Sequence, residues 1–170
     1  MIIQPMSESV SAFPAVAASN GIAPLSHLGV IRAKGADAAT FLQGQLTQDV
    51  VLMKQGEARL AAFCSAKGRM LASFQVLKTA PDELLLVTSA DTLPATLKRL
   101  SMFVLRAKLK LSDATGDYAV WGQLGETPDL IAASADGAGA EAQNDAEKPA
   151  HRIALPAAGG VARTLWLAPA

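Results

Sequence analysis

Two short segments of this sequence hold side chains suited to gripping a small polar molecule. Gln43 and Gln45 flank Gly44, with Asp49 shortly after. A primary amide offers both donors and an acceptor, so such side chains match a heterocycle whose edge has amide-like groups. A spacing of two puts the glutamines on different helical faces, so at most one need meet a ligand. Their other use is to bond the backbone of the following loop together with Asp49, while Gly44 lets the helix pack closely. Lys67 and Arg69 bracket Gly68, where two cations and open turn amides suit a carboxylate chain or a phosphate. Arg106, Lys108 and Lys110 extend that basic set; taken singly, each is equally a charged turn or a lysine-protected strand edge.

Other reactive types are sparse. Cys64 is the lone cysteine, which excludes an internal disulfide framework and supplies too few thiolates for a zinc or iron-sulfur centre within one chain. It stands beside the basic turn, but a single cysteine in an apolar strand is usually a small core residue. His27 and His151 are too isolated to form a metal site or a catalytic triad, and there is no phosphate-cradling glycine loop.

The elements that must hold these groups follow from periodicity. Leu25 to Arg32 reads as a strand. From Gly35, Asp37 is placed to cap a helix whose Ala38, Phe41, Leu42 and Leu46 recur at helical spacing. Leu60 to Cys64 and Arg69 to Leu77 form a hairpin around Ser65-Ala66-Lys67-Gly68, with Gly68 at positive φ. Pro81-Asp82-Glu83 turns the chain into a strand over Leu84 to Thr88. Ser89 or Asp91 then caps a helix with Pro94 in its first turn and Leu93, Leu97, Leu100 and Val104 on one stripe. Arg106 to Leu111 alternates as a strand, and Tyr118 to Gln123 is another. The expected class is α+β, an antiparallel sheet backed by two helices. Residues 1–22 read as a flexible lead-in, 23–125 as the main domain and 126–150 as an Ala/Gly/Asp/Glu-rich linker or insertion. Residues 151–170 hold two short strands that start an incomplete second α+β unit.

Composition bounds the function. The 170 residues suffice for one domain, or one and part of another, and 51% are hydrophobic, enough for a real core. No apolar run reaches the roughly 20 residues of a membrane span and no basic-then-apolar leader opens the chain, so a cytoplasmic protein is expected. The zero net charge divides unevenly: residues 1–110 carry 12 Lys and Arg against 7 Asp and Glu, and residues 111–170 carry 3 against 8. The basic part allows an anionic ligand, whether a polyglutamylated small molecule or RNA, but is far less dense than a dedicated nucleic-acid binder; ordinary solvated surface is the plainer reading.

Gly35-Ala36-Asp37 with Phe41-Leu42-Gln43-Gly44-Gln45-Leu46-Thr47-Gln48-Asp49-Val50, and Cys64-Ser65-Ala66-Lys67-Gly68-Arg69-Met70, resemble in order and spacing the YgfZ family of folate-binding proteins, related to the glycine-cleavage T-protein. The similarity runs from about Leu25 to Gly125, with a weaker echo at Thr164-Leu165-Trp166-Leu167. It implies the amino-terminal portion of a three-domain protein that binds a tetrahydrofolate derivative in a central cleft. Its implied partners are iron-sulfur enzymes or their assembly factors, including those that thiolate tRNA. On that reading Gln43, Gln45, Asp49, Lys67, Arg69 and Arg106 are the candidate folate-binding residues, with one of the glutamines suited to the pterin and the cations to the glutamate tail. The family's Lys-Gly-Cys-aromatic-x-Gly-Gln-Glu segment does not occur in these 170 residues. The T-protein, an aminomethyltransferase, has acidic residues on the strand after the hairpin glycine, where this chain has Ala72 and Ser73. Without an ionisable group there, binding is favoured over one-carbon transfer. The alternatives are an aminomethyltransferase-like enzyme and a truncated product that binds nothing. If the pocket needs all three domains, this chain alone holds folate weakly or not at all.

Overall fold

The structure is a computed structural model that describes residues 20–125 and 150–170. Among the described residues nine strands and two α-helices follow in the order β1 (Gly21–Pro24), β2 (Leu28–Lys34), α1 (Ala38–Gln43), β3 (Ala58–Cys64), β4 (Met70–Ala80), β5 (Glu83–Ser89), α2 (Leu93–Ser101), β6 (Lys110–Asp113), β7 (Tyr118–Leu124), β8 (His151–Ala158) and β9 (Val161–Pro169), with a short 3-10 turn at Thr115–Asp117 before β7. The class is α+β. Five strands form one antiparallel sheet in the order β3-β4-β5-β2-β6, and four form another, β1-β7-β9-β8. The lead-in assigned to residues 1–22 lies outside the described residues up to position 19, whereas Gly21 and Ile22 pair with Leu124 and Gln123 in β1. Of the linker assigned to 126–150, residues 126–149 lie outside the described residues.

The five-stranded sheet is covered on both faces. Ile31, Ala33, Phe74, Val76, Leu84 and Leu86 point to the helices and pack with Ala38, Leu42, Leu93 and Leu100. Val30, Leu77, Leu85 and Val87 point the other way, onto Val120, Ile153, Leu165 and Leu167 of the second sheet. Double coverage explains the unbroken apolar run Leu84 to Val87, since a strand buried on both sides need not alternate. At one end of the seam, the Arg32 guanidinium lies 2.7 Å from Asp117 and 5.6 Å from the Tyr118 ring centroid. Its Nε is 3.2 Å from Glu83, near enough for ion pairing although not aligned for a hydrogen bond.

Several local expectations shift. The run from Leu25 to Arg32 is not one strand: Leu28 N–H donates to the Leu25 carbonyl at 3.0 Å, making a turn that hands the chain from one sheet to the other. Asp37 precedes α1 but does not cap it; its carboxylate accepts instead from Lys108 N–H at 2.7 Å. α2 begins after Thr92 rather than at Ser89 or Asp91, and ends before Val104. The strand expected from Arg106 shortens to Lys110–Asp113, because only these residues pair with β2. Exposure still alternates from Arg106 to Leu111, with the cations outside and Ala107, Leu109 and Leu111 half-buried. Most consequentially, the two strands after residue 150 are not left to find a core of their own. β9 takes β7 as a neighbour over the whole Tyr118–Leu124 register, and both bury their apolar face against the first sheet.

Candidate functional site

The segment that holds Gln43, Gln45 and Asp49 seals the outer edge of β3. Leu46 bridges to Phe63, Thr47 N–H donates to the Ala62 carbonyl at 3.0 Å, Ala62 N–H returns to Thr47 Oγ1 at 2.9 Å, and Gln48 Nε2 reaches the Leu60 carbonyl at 3.2 Å. These bonds occupy edge groups that would otherwise be open to another strand. Gln43 Oε1 accepts from Val50 N–H at 2.7 Å and Val51 N–H at 3.1 Å, and Asp49 Oδ1 accepts from Leu52 N–H at 3.3 Å. Both side chains therefore bond the loop's own backbone, the second of the uses open to them. Gln45 differs. It is half-buried and, one step along from the Leu46 bridge, lies beside Cys64 at the start of the hairpin tip.

At that tip Gly68 N–H donates to the Ser65 carbonyl at 2.9 Å and Arg69 N–H to Ser65 Oγ at 3.2 Å, with Gly68 at φ 76° as its neighbours require. Lys67 and Arg69 are exposed; Cys64 is free and half-buried. Just behind the tip Phe63 pairs with Ala72 and Cys64 with Met70, so Leu71 is an extra residue on β4. Such a bulge re-aims side chains. Leu71 and Phe63 form one wall of a groove of about 500 Å³, a volume within the range of small-molecule sites.

α2 forms the other wall. Ala95, Lys98, Arg99 and Met102 follow the i, i+3, i+4, i+7 spacing of a single helical stripe, with Asp91, Thr92 and Thr96 also lining the groove. The Ser89 hydroxyl donates to Asp91, and that bond, with the Thr92 backbone N–H, holds the Asp91 carboxyl below the usual carboxylate range. The groove thus has apolar walls, an ionised acceptor at the start of α2 and two cations toward its end. Met102 is exposed at the groove's edge, and beyond it Phe103 and Leu105 are exposed, Leu105 to 86%.

The structure therefore brings Gln45, Lys67 and Arg69 to the hairpin end of the groove. Gln43 and Asp49 serve the loop. Arg106 is exposed in the irregular stretch four residues past Met102. None of the six lines the groove itself, whereas Asp91, Lys98 and Arg99, which sequence reasoning passed over, do. The signal for them was available: once Leu93, Leu97 and Leu100 define the inward stripe of α2, Lys98 and Arg99 fall outside it next to an exposed methionine. Ala72, on β4 behind the tip, is only 6% exposed and packs in the helix-side core; Ser73 is exposed and its carbonyl accepts from the Thr88 hydroxyl at 2.9 Å. Among the described residues no three His, Cys, Asp or Glu side chains cluster as metal ligands would, and no helix is long and apolar enough to cross a membrane.

Residues 6–132 match the family described as the GCVT N-terminal domain. An uncharacterized protein of Haemophilus influenzae is 34% identical over 102 residues, covering 60% of this chain and 36% of that protein. An aminomethyltransferase of Bacillus cereus is 28% identical over 114 residues, covering 66% of this chain and 31% of the enzyme. Among solved structures, the glycine cleavage system aminomethyltransferase T of Bartonella henselae superposes with a TM-score of 0.71 at 18% identity, over 89% of this chain and 42% of that one. The fold is shared, and the chain spans about a third of the length of the curated relatives it matches.

Proposed function

Because the chain belongs to the GCVT N-terminal domain family, we propose that it contributes a tetrahydrofolate-binding surface to an accessory protein of iron-sulfur enzymes, including those that modify tRNA in the cytoplasm. The observation that carries the binding part is the groove between α2 and the hairpin. A folate has a flat, largely apolar body between a pterin edge rich in N–H donors and a glutamate bearing carboxylates. Phe63, Leu71 and Met102 suit the body, Asp91 and Thr92 suit donors, and cations suit the acid end. Gln45, Lys67 and Arg69 stand at the groove's hairpin end and Arg106 beyond Met102 as further contacts, while Gln43 and Asp49 act through the loop they hold.

Titration of the purified chain with 5-formyltetrahydrofolate tests this. Saturable binding is expected, weak because one domain supplies few walls; no saturation at several times 1 mM overturns it. A second reading, one-carbon transfer, is favoured by the names of the Bacillus and Bartonella relatives. The side chains at positions 72 and 73 speak against it, since a buried methyl and a bare hydroxyl provide no acid or base. Tetrahydrofolate-dependent release of ammonia from an aminomethyl-carrying protein would establish that reading.

A further inference from the structure

Ala95 and Met102 supply the apolar surface on the α2 wall of the groove, and Met102 is 60% exposed. A thioether open to water is oxidised by hydroperoxides to a sulfoxide, which turns a flexible apolar side chain into a polar one with an acceptor oxygen. Two other methionines stand among the described residues: Met53 is buried in the helix-side core, and Met70 is 66% exposed but does not line the groove. What sets Met102 apart is its company. It keeps helical dihedrals, φ −64° and ψ −22°, and its N–H donates to the Lys98 carbonyl at 3.3 Å, so the stripe of α2 continues through it. Lys98 and Arg99, four and three residues back, have Cβ atoms about 5–6 Å from that of Met102. Long side chains on a helix lean toward its amino end, which carries the Met102 sulfur back toward these two cations. Among the described residues no carboxylate forms an ion pair with either of them, so their donors are open to a new acceptor.

We propose that Met102 is an oxidation site that closes the groove: a hydroperoxide converts its thioether to a sulfoxide, whose oxygen takes up the donors of Lys98 and Arg99. A sulfur lone pair attacks one peroxide oxygen, and the O–O bond breaks as the S–O bond forms. Sulfur loses two electrons, the peroxide is reduced, and the proton left on the transferred oxygen passes to the departing hydroxide to give water. Lys98 and Arg99 assist by stabilising that hydroxide as negative charge develops on it. In the product a polar group stands on the wall that receives the ligand's flat body, and the cations that answer its acid end are occupied. This rests on the folate reading above and adds a chemical control over it.

Brief treatment of the full chain with hydrogen peroxide, removal of the oxidant, peptide mapping by mass spectrometry and titration with 5-formyltetrahydrofolate test it. Met102 should be oxidised while Met53 is spared, and the affinity should fall at least about tenfold. The melting temperature should stay within about 2 °C, because the Met102 side chain is exposed. Methionine sulfoxide reductase should restore binding. Met102→Leu has no sulfur to oxidise there, so its affinities before and after peroxide, whatever their level, should agree within about twofold. In Lys98→Gln/Arg99→Gln the oxidation of Met102 should slow about threefold relative to Met70 in the same digest. An affinity unchanged by complete oxidation of Met102, or a loss that Met102→Leu shares, overturns the switch and leaves the folate reading standing. An unchanged rate ratio in the double variant overturns the assistance assigned to the cations. Failure of the untreated chain to bind overturns both the folate reading and the switch built on it.

Discussion

Replacing Gln43 with alanine separates its service to the loop from contact with a ligand. The side chain accepts from two N–H groups, but the two losses are unequal. Val50 is wholly buried, so its N–H would be left without a partner, at a cost of about 1–3 kcal/mol. Val51 is 46% exposed, and water takes over its weaker bond. Release of the glutamine's rotamers returns part of the loss, so the net destabilisation should be about 1–2 kcal/mol. At about 2–4 °C per kcal/mol for a chain of this size, the melting temperature should fall by about 2–8 °C. Gln43→Glu keeps an acceptor in place and should stay within about 1 kcal/mol of the parent. Urea denaturation followed by circular dichroism, with a folate titration on the same samples, reads both properties. A Gln43→Ala protein as stable as the parent but unable to bind folate would refute this account, and would make the glutamine a ligand contact rather than part of the edge seal.

Gly35→Ala should be among the most damaging single changes. Gly35 sits at φ 144°, and an added Cβ would lie 2.2 Å from the Lys108 carbonyl oxygen and 2.5 Å from Leu109 Cα, both backbone atoms. A loss of about 3 kcal/mol or more is expected in thermal denaturation, and a melting temperature within 2 °C of the parent would contradict the close approach. For His151, burial pushes the imidazole pKa below its usual 6.5, with Glu83 opposing. The unfolded chain therefore takes up the proton more readily, so this contribution to stability is complete above pH 6.5 and is lost as pH falls through the folded value. Melting curves between pH 7.5 and 5 should converge for the parent and His151→Gln as acid removes the advantage of the neutral ring; parallel curves would exclude it.

The elements that repeat a period were readable in the sequence because a single local rule governs each. The hairpin from Ala58 to Ala80 with Gly68 at its tip, the inward leucines of α2, and the alternation from Arg106 to Leu111 all appear as periodicity predicts. What could not be read is where distant segments meet. Nothing near Asp37 says that its carboxylate will be taken by an amide 71 residues away, which is why its capping role was expected and not found. Likewise, His151–Ala158 and Val161–Pro169 look partnerless until β7 is seen to have an open side. The candidate site shows the same division. Gln43, Gln45 and Asp49 were identified as one polar motif, but only the pairing of Leu46 with Phe63 shows which of them reaches the hairpin tip. The groove depends on an extra residue at Leu71, and a bulge has no signature in composition.

The position of β9 also affects the timetable of synthesis. It lies between β7 and β8 although every other described strand precedes it in the chain, and its Leu165 and Leu167 cover Val30, Leu77, Leu85 and Val87. Roughly 40 residues separate the end of β7 from those leucines, so at translation rates of about 5–20 residues per second the first sheet waits some 2–8 s with that apolar face covered only in part, by β7. During that interval the nascent chain presents a half-built seam to the ribosome surface and to its chaperones.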